Sequence, residues 1–374
     1  MRPQVEPVTL DSTTQHSLKV KEQDFDQAEF TAKVQNLIQQ YCEDKIKAAE
    51  YVGESYANLW KEIGSYLSGG GKMIRPHLVG LAYSSYGGED IDSIVPIACA
   101  WELLHSFLLV HDDIIDRDLV RHGRPNIAGM YYQKYKKLSK TEAYHYAQSY
   151  SLLAGDLLLA ASYELVNGSN LKPEAKLQVC SYLQSAIFYT AGGEFIDVES
   201  VVLPIEESRP DAIIENKTTI YSFQLPLQCG AYLAGASANE IQKLAKISLD
   251  LGYIFQLRDD QLGVFGKEEE TGKSNRSDIK EKKRTLLVKL TKNNLVNKEK
   301  DRLEQLYGFN HEMTDEESEE VFNIISASGA KVLIEQEISN RTESISKLIL
   351  ELKIPKNSQE AFLKIMHNVS KRSN

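Results

Sequence analysis

An all-α fold is predicted for this chain. From about residue 25 to the end, apolar residues recur at spacings of three and four, and strand-like alternation is scarce. Glycine and proline punctuation falls at Gly69-Gly70-Gly71, Gly87-Gly88, Gly123 to Pro125, Gly168, Leu203-Pro204 and the stretch from Gly266 to Asn275. The segments between these marks run to roughly 15 to 30 residues, enough for helices of about 20 to 45 Å.

Taken in order, residues 1–25 are polar and charged with no apolar signal core and read as a loose arm. Residues 26–374 read as a single all-α domain, with the Lys/Glu-rich stripes of 291–374 as its C-terminal helical part. A length of 374 residues with 42% hydrophobic content supports a sizeable core. The longest apolar tract, Ile94 to Val110, is broken by Pro96, Glu102 and His105, so it is expected to be a buried helix with a wet end and not an integral membrane segment. Residues 268–284 are dense in charge and read as a mobile loop.

Net charge is -10, from 53 acids against 43 bases, which argues against nucleic acid as the main partner. An anionic substrate stays admissible, because bound divalent ions invert the local sign. Cys42, Cys99, Cys180 and Cys229 form no CxxC pair, so a zinc knuckle is not expected and a reducing, cytoplasmic setting is.

Two acidic stretches carry the chemistry. In HDDIIDRD, beginning at His111, Asp112 and Asp116 fall one helical turn apart, with Asp113 on the shoulder of that face. They continue the stripe Trp101, His105, Leu108, which turns from apolar to acidic. Three clustered carboxylates repel one another and ask for cations or solvent; a solvated acidic helix tip is the plain alternative. In FQLRDDQLG, beginning at Phe255, Asp259 and Asp260 form a second pair with Gln256 one turn earlier. Two such acidic rims suit several Mg²⁺ ions and a diphosphate.

Basic groups accompany them. Gly69-Gly70-Gly71 leads into Lys72 and Arg75, a pattern in which backbone N–H groups and two cations can meet an anion, though it lacks the P-loop spacing. A basic surface loop is the ordinary reading. Arg121, His122 and Arg124 follow the first acidic stretch in a tight glycine-bearing turn. Lys217-Thr218 and Lys283 are weaker signals, each in isolation a solvent-facing residue. His105 alone reads as a core histidine, and beside a phosphate cavity as a donor to a phosphate oxygen, so both roles stay open; His111-Asp112 also fits the metal doublet of an HD-type phosphohydrolase.

The motifs GGGKMIRP, LLHSFLLVHDDIIDRDLVRHGRP, AGDLLLA, GGEFID, NKTTIYSF and GYIFQLRDDQLGVFG, in this order across roughly residues 60 to 290, resemble the trans-isoprenyl diphosphate synthase (polyprenyl synthetase) family. The resemblance implies an isoprenoid synthase-type helical bundle around a deep central cavity, a catalytic role for residues 26–374, a homodimer, and condensation of isopentenyl diphosphate with an allylic diphosphate. It implies Mg²⁺, three ions with substrate bound: Asp112, Asp113 and Asp116 would hold Mg²⁺ against the allylic diphosphate, and Asp259 and Asp260 a further ion. Lys72, Arg75 and His105 would bind isopentenyl diphosphate, and Arg121 would reach the allylic diphosphate. Lys217, Gln256 and Lys283 would stabilise departing pyrophosphate and the cation beside it, with Thr218 next to that cation.

Phe107 and Leu108 would set chain length. Phe107 lies about 7.5 Å down the helix axis from Asp112, and a bulky residue there in the family shortens the product. C20 geranylgeranyl diphosphate is the expected product, with C15 or longer chains as alternatives. A core-packing Phe is the plain reading of Phe107. Three positions depart from the family pattern: His122 for a second arginine, Glu194 for a glutamine, and Gly263 for the last Asp of the second acidic motif. Gly263 keeps open the reading of a non-catalytic partner subunit. A terpene cyclase would share the metal-assisted ionisation without needing Lys72 and Arg75.

Overall fold

A computed structural model describes residues 25–69, 71–121, 123–266, 277–308 and 312–371. His122, the arm before residue 25 and most of the charged stretch 268–284 lie outside the described residues. The all-α expectation holds. In chain order come α1 (Gln27–Val52), α2 (Glu54–Ser68), α3 (Ile74–Ser85), α4 (Val95–Ile115), a hairpin of β1 (Val120–Arg121) and β2 (Arg124–Pro125), α5 (Ile127–Tyr135), α6 (Lys140–Gly168) and α7 (Pro173–Ser200). Then follow α8 (Pro210–Ile213), a π-helix (Ile214–Gln224), α9 (Leu225–Leu233), α10 (Ala238–Phe265), α11 (Ser277–Lys280), α12 (Leu286–Asn294), α13 (Asn297–Leu306), α14 (Asp315–Ala327), α15 (Ala330–Leu350) and α16 (Lys356–Ser370).

Two compact units are present: residues 1–183 with 226–238, and residues 184–225 with 239–374. In the first, α4 is the central helix and packs most extensively on α6. Pro96 opens it at a position where a helix needs no N–H partner, and Trp101, Leu103 and Leu104 are fully buried along it. Ile91–Ile115 is long and apolar enough to cross a membrane, and 72% of its most apolar window is buried within the fold, as a core helix requires. The helix ends where acids replace apolar residues, and Asp116 caps it. The predicted tight turn is the β1–β2 hairpin, with Arg121 opposite Arg124 and Gly123 at φ +72°. Asp26 caps α1 by accepting from Glu29 N at 2.9 Å, a contact worth about 1 kcal/mol. Phe25, the last residue of the expected arm, packs edge-on against Phe30 and His77.

In the second unit α10 carries the second acidic motif, and the helices after it add the C-terminal part. The segment after residue 276 differs from the expected loop. Ser277–Lys280 is a helical turn, Ile279 is fully buried, and Arg284 donates from Nη2 to Tyr307 O at 2.8 Å. Charge density suggests a solvated loop; one buried isoleucine and a buried arginine instead fix its end.

Candidate active site

In the first unit Arg121 closes on the first acidic motif. Its Nε donates to Asp113 Oδ1 at 2.9 Å, and its Nη2 donates to Asp113 Oδ1 at 2.6 Å and to Asp112 Oδ2 at 3.1 Å. The hairpin therefore returns a guanidinium to the acidic end of α4, where the helix dipole gives carboxylates no support. Asp113 is almost fully buried. Burial pushes its carboxyl up to about 6, against the pull of Arg121, while Asp112 and Asp118 add to the push. Asp116 is exposed and Asp112 half-buried, so the three acids run from core to solvent.

Beside them lies a cavity of about 360 Å³ whose lining includes Tyr66, Gly71, Glu102, His105, Arg121 and Arg124. Gly69 and Gly71, His105 and the hairpin arginines thus meet at one pocket. Arg75 is buried, which rules out an ordinary surface loop for this arginine, while Lys72 is exposed. Between them Met73 takes a left-handed backbone at φ 44°, a strained turn that a β-carbon disfavours. In the sequence Glu102 reads only as a break in an apolar tract. It is a fully enclosed acid, with its carboxyl raised by burial and drawn back by Arg75; a charge inside an apolar run is the available signal. His111 turns elsewhere. It packs edge-on against Phe107, centroids 4.7 Å apart, and a Cβ on Gly155 of α6 would sit 2.2 Å from its Nε2. Phe107 is itself buried, and Leu108 half-buried.

The second unit brings together residues that look solvent-facing one by one. Lys217 and Thr218 lie on the π-helix, whose wider turn lets Thr219 donate its hydroxyl to Ile214 O, five residues back, at 2.9 Å. Lys217 Nζ sits 2.8 Å from Glu194 Oε2 and 2.7 Å from Asp197 Oδ2. Gly193 makes this possible: a Cβ there would lie 2.2 Å from the Lys217 backbone nitrogen. Asp197 escapes the sequence reading, although its place three residues after Glu194 puts both acids on one helical face. Thr218 donates to Gln256 Oε1 at 2.8 Å, and Gln256 Nε2 donates to Asp260 Oδ1 at 2.9 Å. Asp260 is buried and pushed up to about 8, first by burial and then by Asp278 and Asp259, with Gln256 and Lys283 opposing. Lys283 is half-buried and pairs with Glu281 at 2.9 Å and Asp278 at 3.5 Å.

Among the described residues no three His, Cys, Asp or Glu side chains converge on one point. The donor chemistry still fits Mg²⁺. That ion takes one or two carboxylates from a protein and completes its shell with water and substrate phosphate. Asp260 is buried near Asp259 and Asp278, and a bound cation would offset the crowding of these acids.

Residues 57–325 match the polyprenyl synthetase family. The chain belongs to that family. A short chain isoprenyl diphosphate synthase of Methanocaldococcus jannaschii is 32% identical over 264 residues, 70% of this chain and 74% of that protein. A geranylgeranyl diphosphate synthase of Saccharolobus solfataricus is 31% identical over 278 residues, 74% of this chain and 78% of its own length. The crystal structure of a geranylgeranyl pyrophosphate synthase from Corynebacterium glutamicum, complexed with isoprenyl diphosphate and magnesium, superposes with a TM-score of 0.85 at 27% identity, covering 94% of this chain and all of that one. This polyprenyl synthetase has the all-α isoprenoid synthase fold and is a prenyltransferase.

Proposed function

We propose that this prenyltransferase condenses isopentenyl diphosphate with an allylic diphosphate and releases a C20 trans-prenyl diphosphate. The observation that carries the reading is the hydrogen-bonded line Thr218–Gln256–Asp260 with Lys217 on the same π-helix. Polar donors and an acid aligned in this way would suit a leaving diphosphate, with no nucleophile required. Mg²⁺, when bound, shields the allylic diphosphate and stabilises the charge that grows on it as the C–O bond breaks.

Asp112, Asp113 and Asp116 would hold Mg²⁺ on the allylic diphosphate, and Asp259 and Asp260 would hold a further ion, with three ions in all when substrate is bound. Arg121, now paired with Asp112 and Asp113, would exchange part of that contact for diphosphate oxygens. Lys72, Arg75 and His105 would bind isopentenyl diphosphate at the cavity beside α4. Lys217, Gln256 and Lys283 would stabilise the departing pyrophosphate. The Thr218 hydroxyl and the Gln256 amide would face the allylic cation with dipoles and not with nucleophiles. Phe107 and Leu108 would limit the product, and the buried Phe107 supports a rigid stop.

The two units would act as one catalytic domain in a cytoplasmic homodimer. Exposed Leu152 and Leu153 on α6 and Leu177 on α7 support pairing of copies. The HD-type reading loses its support, since His111 is packed against α6.

Incubation with Mg²⁺, isopentenyl diphosphate and labelled farnesyl diphosphate tests the proposal. A C20 diphosphate is expected. A cyclic hydrocarbon, free phosphate alone, or a product of another length would overturn it.

A further inference from the structure

The corner between α5 and α6 reverses the sign of the chain. Residues 131–150 carry four lysines, Lys134, Lys136, Lys137 and Lys140, against a single acid, Glu142, in a protein of net charge -10. Tyrosines fill the spaces between them. Tyr131, Lys134 and Tyr135 fall on one side of α5, and Tyr146 and Tyr150 on one side of α6. These sides stack. Tyr131 and Tyr150 lie 4.1 Å apart at 11°, and Tyr135 and Tyr150 lie 5.9 Å apart at 8°. Lys134 Nζ stands over Tyr131 and Tyr135, 5.3 and 5.7 Å from the ring centres. The turn itself is pinned: Leu138 N donates to Tyr135 O at 2.9 Å, and Ser139 caps α6 by accepting from Glu142 N at 3.2 Å. Lys136, Lys137 and Leu138 are thereby held at the tip, all exposed, with Leu138 at 46%.

We propose that this corner docks the protein on the surface of an anionic lipid bilayer, with the lysines on the headgroups and Leu138 at the acyl boundary. The inference goes beyond the condensation proposed above and stands without it. Charge selects the partner: the rest of the chain is net acidic, so an anionic surface attracts this corner and repels the remainder. The stacked rings select lipid over single-stranded nucleic acid. Bases need open ring faces, and here Tyr131, Tyr135 and Tyr150 cover one another beneath Lys134. Lysine and tyrosine suit a headgroup layer, because each sets an apolar stem inward and a polar end in water. Lys140 lies about 18 Å along α6 from Leu152, so this surface is separate from the one proposed for pairing copies. The product of prenyl transfer, an apolar chain on a diphosphate, partitions to the same bilayer surface.

Flotation of the full chain with vesicles tests the proposal, using phosphatidylcholine alone or with roughly one third phosphatidylglycerol. Binding is expected on the anionic vesicles at low ionic strength, with loss at high salt and little binding to phosphatidylcholine. Lys136→Gln/Lys137→Gln should weaken it roughly twentyfold, at about fivefold per lysine, with an unchanged thermal melt and wild-type prenyl transfer in vesicle-free solution. In Leu138→Trp, emission should shift to the blue only with anionic vesicles, against a constant background from the buried Trp60 and Trp101. No flotation with anionic vesicles, equal flotation with neutral ones, or wild-type binding by the double glutamine variant overturns the inference. So does an unshifted Leu138→Trp spectrum on bound vesicles, or capture of a single-stranded oligonucleotide by a chain that ignores vesicles.

Discussion

Gln256 donates its amide hydrogen to Asp260 Oδ1 at 2.9 Å, one turn along α10, and takes the Thr218 hydroxyl proton on its own oxygen at 2.8 Å. The amide is oriented from both ends. Gln256→Glu removes the donor and places a like charge beside a buried acid. Steady-state kinetics should show kcat reduced on the order of 10²-fold, the scale for loss of one placed donor. An unchanged kcat would remove Gln256 from the reacting centre.

Lys217 is shared by Glu194 and Asp197, and Glu194 stands where the family resemblance implies a glutamine. Glu194→Gln halves the acidic claim on the ammonium and frees charge for diphosphate. The expected result is a KM for the allylic diphosphate lowered several-fold. Lys217→Ala should cost on the order of 10² in kcat. A raised KM in Glu194→Gln would show that the second carboxylate positions the lysine instead of competing for it.

The acid at 260 gives a pH dependence. Its carboxyl lies at about 8 in the fold against an ordinary 3.8, so between those values the folded, metal-free chain binds a proton that the unfolded chain does not. Stability then falls as pH rises through this window, with a slope of about 1.4 kcal/mol per pH unit. In chelator, the thermal midpoint of wild type should drop relative to Asp260→Asn as pH climbs from 4 to 8. Mg²⁺ affinity should rise across the same window, because the ion displaces that proton. A parallel pH profile for the two proteins would contradict the burial argument.

Phe107 packs under His111 with ring centroids 4.7 Å apart. Phe107→Ala opens space on α4 one to two turns before Asp112. Product analysis should show a shift to chains longer than C20, accompanied by a stability loss of about 3 to 5 kcal/mol for an emptied aromatic site. A destabilised variant with an unchanged product would make Phe107 a core residue only.

The acidic stripe on α4, the placing of Gln256 one turn before the second acidic pair and the glycine turn at 123 are legible in the sequence because each depends on one local period: about four residues per helical turn, or two strands joined by a φ above zero. The helical turn at 277–280 is missed by the sequence reading of a loop, since charge density says nothing about a single buried isoleucine. The widened turns at 214–224 carry no compositional mark, so the alignment of Thr218 with Gln256 is out of reach of the sequence.

By itself the sequence determined the helical class, the two acidic motifs and the family likeness, all properties of residue order and short spacing. Tertiary packing alone decided that Arg121 closes on Asp112 and Asp113, that Glu194 and Asp197 converge on Lys217, and that Asp278 stands in the space beside Gly263. The physical reason is that these contacts join residues distant along the chain or on different elements, whose meeting is fixed by which faces bury together and not by any repeat along one element.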